Sequence, residues 1–271
     1  MPQGLQVVNF FKQTLAAGGS FEALAPATGD SATFFNVPIG SAAFLGEAWG
    51  VDDASPAELS LTASRFHDQV FGIRVSMPDG STLAPTGRSV NVSPVGLDQP
   101  IFPSDVLTVQ ANGTNGDNVN ATLILYYPDI PGISANLVSY GQIKGSLKNL
   151  VGINVPITTG SGDYGATVAL NAADNRLHAN TDYAVLGFTA DIPVSSMFIQ
   201  GVDTGNLRVG GPVLADPEHD AYMFVDLDRS LNIPGGLIPV INSNNAGSTV
   251  LAGAATTGGA TNVDVLLAEL K

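Results

Sequence analysis

Two short stretches carry the residue types of a hydrolytic triad. Gly29-Asp30-Ser31 can hold a nucleophilic serine, and Asp216-Pro217-Glu218-His219 places an aspartate three residues before a histidine. In that chemistry His219 would take the proton from Ser31 while Asp216 orients the imidazole. The second stretch has another use. Asp216, Glu218, His219 and Asp220 form the densest acidic cluster of the chain, and such carboxylates could supply oxygen ligands to a hard cation such as calcium. The spacing lacks the alternating ligands of an EF-hand loop, and short acidic runs usually face water. A solvated loop therefore competes with a metal site at Asp216, Glu218 and Asp220.

A serine nucleophile needs elements that hold it. Ala25-Pro26-Ala27-Thr28 is not the pattern of a buried strand, and no helical pattern follows Ser31. The pairing of Gly-Asp-Ser with Asp-x-x-His resembles the GDSL/SGNH hydrolases, which are α/β proteins. Gly113-Thr114-Asn115-Gly116 lacks the aspartate of that family's Gly-x-Asn-Asp block. The expectation is a chain that is not an enzyme and needs no cofactor, a bound calcium ion aside. Gly205-Asn206-Leu207-Arg208-Val209-Gly210-Gly211 is Gly-rich but has neither the Lys-Ser/Thr of a phosphate loop nor Gly-x-Gly-x-x-Gly, and it reads as a loop in which Arg208 anchors a contact. His67 and His178 have no partner nearby in sequence and read as surface or interface residues. Trp49, Tyr126, Tyr127 and the twelve Phe are spread through strand-like runs, so no aromatic cluster marks a sugar platform.

Composition narrows the classes further. The 271 residues are 44% hydrophobic and only 13% charged, with 31 Gly and 17 Pro, so the chain can bury a core and must cover much of its surface with neutral residues. Such a surface suits burial in an assembly. Net charge is −14 and the ten Lys and Arg are scattered, which argues against direct nucleic-acid binding because phosphate neutralisation needs clustered cations. The absence of cysteine excludes disulfides, Cys-ligated zinc and a thiol nucleophile. No apolar stretch is long enough to span a bilayer, and no cation precedes the first apolar patch as a secretory leader requires. The Asn-x-Ser/Thr matches at Asn91, Asn112 and Asn120 therefore read as chance.

Short apolar runs cut every 8–12 residues by Gly, Pro, Asn or Asp predict an all-β sandwich or barrel. In Val119–Tyr127, Val119, Ala121, Leu123 and Leu125 share one face and Asn118, Asn120 and Thr122 the other, so one face is core and the other wet or shared with a partner. Tyr222–Asp226 reads as a strand, and Gly141–Leu150 as a short helix or a strand. Gly4–Ala17 is the helix candidate: Gln6, Asn9 and Gln13 make a polar stripe opposite Leu5, Val8, Phe11 and Leu15. Laying Val106–Leu123 over Val250–Leu267, 144 residues later, matches six of eighteen positions, each copy with a Gly/Thr-rich turn between two strand-like runs. A fixed-offset echo is the trace of a duplicated unit. With the Pro128-Asp129-Ile130-Pro131-Gly132 break near the midpoint, it predicts a terminal helix or arm over residues 1–20, a first β-unit over 21–130 and a second over 131–271, each copy of the echo being a hairpin.

Leu177-His178-Ala179-Asn180-Thr181-Asp182-Tyr183-Ala184-Val185-Leu186-Gly187, Asp203-Thr204-Gly205-Asn206-Leu207-Arg208-Val209-Gly210-Gly211-Pro212 and Leu237-Ile238-Pro239-Val240-Ile241-Asn242-Ser243 resemble structural proteins of bacterial viruses. With two tandem β-units, the chain resembles the double jelly-roll major capsid proteins of tailless icosahedral viruses. The resemblance implies two jelly rolls side by side and a homotrimer forming a pseudo-hexagonal capsomer. It implies contacts with neighbouring capsomers and other virion proteins, and an N-terminal helix facing an internal membrane or a neighbour. It brings no catalytic residues. The expected location is the virion, after synthesis in the host cytoplasm. The alternative is a β-sandwich binding or adhesion module, such as a glycan-binding phage fibre or decoration protein, which would need an exposed aromatic or Asn/Asp-lined site.

Overall fold

The structure is a computed structural model describing residues 4–16, 20–30, 43–52, 57–62, 73–77, 100–101, 106–128, 132–173, 176–192, 194–213 and 221–270. The chain is predominantly β. Its first element corrects the sequence reading: Gly4–Lys12 is a strand, β1, not a helix, and it lies inside a sheet rather than on an arm. The reason is burial on both sides. A strand covered on both faces reads as a nearly continuous apolar run, and Leu5, Val7, Val8 and Phe10 are all buried. Within such a run a helical stripe can be drawn by chance.

The first unit continues through β2 (Glu22–Ala23), β3 (Ala25–Pro26), β4 (Ala43–Asp52), β5 (Ala57–Thr62), β6 (Ile73–Met77), β7 (Pro100–Ile101), β8 (Thr108–Asn112) and β9 (Val119–Tyr127). The second has β10 (Leu137–Val138), a helical turn α1 (Tyr140–Ile143), β11 (Leu147–Ser161), β12 (Val168–Ala169), β13 (Asp182–Ala190), β14 (Val194–Gln200), β15 (Val209–Val213), helix α2 (Met223–Leu231), β16 (Ile238–Asn242), β17 (Val250–Ala255) and β18 (Gly259–Leu270). α1 starts at a capping box in which Ser139 and Gln142 satisfy each other's backbone N–H groups, and β11 follows directly, so Gly141–Leu150 contains both a helical turn and a strand. Residues 223–231 correct the strand expected at Tyr222–Asp226. Phe224, Val225, Leu227 and Asp228 are buried in a helical pattern visible only when the window extends past Asp226.

Strand order shows what the echo means. In the first unit a front sheet runs β3-β1-β9-β4-β7 and a back sheet β2-β8-β5-β6. In the second unit the front order is β10-β16-β13-β18-β11 and the back order β12-β17-β14-β15. Exchange β1, β2, β4, β5, β6, β7, β8 and β9 for β11 to β18 in order, and the first pair of sheets becomes the second, with β3 and β10 as extra edge strands. The echoed segments are not hairpins. β8 and β17 lie in back sheets while β9 and β18 lie in front sheets, so each Gly/Thr-rich turn carries the chain across the sandwich. β4 bulges against β9 between Leu45 and Glu47, and β13 bulges against β18 between Val185 and Gly187, a second local feature common to both units. β11 extends past its front-sheet partners and pairs Gly160 and Ser161 with β17, linking the second unit's two sheets.

Each sandwich encloses its own core. Val8, Phe10, Leu123 and Leu125 meet Leu59, Leu61 and Val109 in the first unit. Ile153, Val155, Val265 and Phe188 meet Met197, Ile199 and Leu251 in the second. The first unit's front sheet then packs its outer face on the second unit's back sheet, β1 and β9 lying against β14 and β15. α2 reaches both units. Phe224 packs edge-on against Phe188, ring centroids 5.6 Å apart, and a Cβ at Gly46 of β4 would sit 3.1 Å from Leu231 Cδ1.

Candidate functional site

The seam between the units holds an ion pair, Arg208 with Asp30, whose carboxylate side is fully buried. β1 and β9 send alternate side chains into their own core and the others across the seam, which is the alternation that the sequence of β9 displays. The partner on the polar face is the chain's own second unit. Asn9 Nδ2 and Asn120 Nδ2 donate to Gly162 O at 2.8 and 3.0 Å, and Thr122 Oγ1 donates to Ser195 O at 2.7 Å. Asn120 Oδ1 accepts no hydrogen bond from the protein. Asn120 is 1% exposed, which leaves no room for a glycan at that sequon in the folded chain. Between these contacts Val7 packs on Phe198 and Ala252.

At one edge of this face Arg208, in the segment entering β15, reaches back to the first unit. Its Nη1 donates to Asp30 Oδ1 and to Thr28 O, both at 2.9 Å, and Val7 N donates to Arg208 O at 2.7 Å. The guanidinium lies 5.0 Å from the Tyr164 ring centroid and 4.8 Å from that of Phe198, positions that favour cation–π attraction. Gly29 has φ +84, and a Cβ there would fall 2.5 Å from Arg208 Nη2, so both the turn and the close approach call for glycine. Asp163 braces the same loop, accepting hydrogen bonds from Thr28 N and Tyr164 N at 2.9 and 2.7 Å and from Thr28 Oγ1.

The electrostatics follow the burial. The Asp30 side chain has no solvent exposure. Its desolvation outweighs the help of the Asn9 N–H and of Arg208, and its carboxyl is pushed up from 3.8 to about 6. Burial likewise pushes the Tyr164 and Tyr127 hydroxyls above their usual range. Asp163 goes the other way: burial works against its ionisation, but hydrogen bonds from Thr28 and Tyr164 prevail and hold it below the usual carboxylate range. A second charged group lies at the far end of the second unit. Lys148 Nζ donates to Glu269 Oε1 at 2.8 Å and Asn149 Nδ2 to Glu269 Oε2 at 2.9 Å, which holds Glu269 at about 2. His178 Nδ1 lies 3.3 Å from the same carboxylate.

Ser31, His67, Asp216, Glu218, His219 and Asp220 lie outside the described residues, so the triad and the calcium ligands have no geometry to report. Asp30, of the same Gly-Asp-Ser stretch, is clamped to Arg208. Arg208 anchors a contact, as its loop predicts, but its partner is 178 positions away. No signal in the sequence could have paired them. Among the described residues no group of three His, Asp or Glu is arranged to hold a metal ion. No helix of the described structure is long and apolar enough to cross a membrane. Compared with protein-family models, curated proteins and solved structures, the chain matches none. What the seam can do chemically is join two like bodies. It offers apolar packing, amide-to-carbonyl hydrogen bonds and a charge pair whose carboxylate is buried.

Proposed function

We propose that the chain is a virion structural protein, a major capsid subunit with two jelly rolls, three copies of which form a pseudo-hexagonal capsomer of an icosahedral shell. The repeated strand order carries this reading. In a jelly roll the first, eighth, third and sixth strands make one sheet and the second, seventh, fourth and fifth the other. The orders β1-β9-β4-β7 with β2-β8-β5-β6, and β11-β18-β13-β16 with β12-β17-β14-β15, follow that scheme twice. Duplication gives a trimer six like lobes, and six lobes tile a nearly hexagonal net. The low charge content suits extensive packing, and the acidic surplus suits a shell that does not neutralise genome phosphates. The working place is then the virion, and the partners are other copies and other virion proteins. With residues 4–12 held inside a sheet, a membrane-facing N-terminal helix has no support from this segment.

Light scattering on size-exclusion fractions, followed by electron microscopy, tests the reading. Three-copy particles with a hexagonal outline are expected. A chain that stays monomeric at high concentration refutes it, and a monomer that binds glycans would put the adhesion module in its place.

A further inference from the structure

The only two Asn-Gly steps of the chain, Asn112-Gly113 and Asn115-Gly116, fall where the first unit crosses from its back sheet to its front sheet. We infer that Asn115 is a site of spontaneous deamidation, and that residues 13–16, clasped on this turn, set how fast it converts. The inference stands apart from the shell reading.

The chemistry needs only water. The Gly116 nitrogen, once it has lost its proton, attacks Asn115 Cγ to close a cyclic imide. The Cγ–Nδ2 bond breaks, and the amide nitrogen leaves as ammonia, taking up a proton in place of the one lost. Water then opens the imide at either carbonyl, leaving aspartate or isoaspartate at 115 and one more negative charge. Glycine favours the attack because no side chain crowds its nitrogen.

The structure selects Asn115 over Asn112. Asn112 is half-buried and sits in the β5–β8 ladder opposite Glu58. Asn115 and Gly116 are exposed, in a turn closed by Asp117 N donating to Thr114 O at 3.2 Å. Gly116 has φ +98, as the third position of a type II turn demands, and a Cβ there would meet nothing within 4 Å.

The clasp restrains the same nitrogen. Gly116 N donates to Leu15 O at 2.8 Å, and Leu15 N donates to Asp117 O at 2.9 Å. On either side Thr14 N donates to Asn118 Oδ1 at 3.1 Å and Ala16 N to Glu22 Oε1 at 2.7 Å, while the Leu15 side chain is buried. With its N–H held by Leu15 O, Gly116 can neither give up the proton nor turn toward Asn115 Cγ. Conversion therefore runs through a local opening of the clasp. Thr14 favours that opening, because its φ of 61 is strained for a β-branched residue. Conversion in turn works against reclosing: the new carboxylate stands near the buried Asp117, and isoaspartate lengthens the backbone inside the turn. At the 144-residue offset Gly259 and Ala260 replace Asn115 and Gly116, so the second unit's crossing has no such step.

The whole chain, kept in warm, mildly alkaline buffer with and without urea, tests this by peptide mapping with mass spectrometry, isoaspartate being counted by enzymatic methylation. In urea both asparagines are expected to convert. In the folded chain Asn115 should convert ahead of Asn112 and roughly tenfold more slowly than in urea, since its reactive state is a minor opening. Leu15→Ala is expected to speed conversion by roughly tenfold by emptying a buried anchor. Thr14→Gly, which relieves the strained φ and keeps the reacting residues, should slow it by roughly threefold and decides the matter if Leu15→Ala does not fold. Asn112 converting first, or Asn115 still intact well past that tenfold delay, overturns the site. Equal rates in the folded and urea-unfolded chain, or an unchanged rate in Thr14→Gly, overturns control by the clasp.

Discussion

Replacing Asp30 by Asn removes a single titration from the seam and isolates what burial does to it. In the folded chain the carboxyl is protonated up to about pH 6, whereas in the unfolded chain it ionises from 3.8, so between those values the folded state binds the extra proton. Stability of the wild type relative to Asp30→Asn must therefore fall as pH rises through this window. The raised value corresponds to about 3 kcal/mol at about 1.4 kcal/mol per pH unit, and most of that change falls between about pH 4 and about pH 7. Asp163 and Glu269, both held low, contribute in the opposite sense, their share fading as pH drops through their depressed values, but they are common to both proteins and cancel in the difference. Urea denaturation of both proteins across the window, with ΔG compared at each pH, reads the effect. A difference that stays flat, or that grows in favour of the wild type as pH rises, would refute the account of Asp30 as a carboxyl whose burial outweighs its arginine.

Two further substitutions probe each end of the second unit. Phe198→Ala removes a buried ring that Val7, Tyr164 and Arg208 all pack against, and should cost about 3–5 kcal/mol in chemical denaturation; a loss under about 1 kcal/mol would show that the seam does not depend on it. Lys148→Met should let the Glu269 carboxyl rise from about 2, followed by NMR titration of its side chain, and an unchanged titration would remove Lys148 as the main cause.

The sequence makes some of this legible and hides the rest for physical reasons. β9 could be read because its two faces differ in polarity, and β4, β13 and β18 because β-branched and aromatic residues stand between clear turn residues. β1 could not, since a strand buried on both sides loses its alternation, and β15 hides behind Gly210 and Gly211, whose missing side chains make room for Met197 O and Met223. The echo was visible as residues but not as topology. A turn that crosses from one sheet to the other uses the same glycines as a hairpin turn, and only the ladder pattern tells them apart. The seam was half legible: the polar face of β9 announced a partner, but the pairing of Asp30 with Arg208 needs the fold to bring the two units together.

The residues around Pro128 and Gly132 join two bodies that would otherwise have to find each other by diffusion. Tethering them fixes the effective concentration of one by the other, on the order of millimolar for a short connection, whatever the protein concentration. The internal seam thus forms in the same event as folding, at a rate that dilution cannot touch. Held together by that tether, the seam can keep the Asp30 carboxylate out of water beside Arg208. The seam's strength is therefore part of the stability of folding, whereas any contact between separate copies would have to form without that advantage.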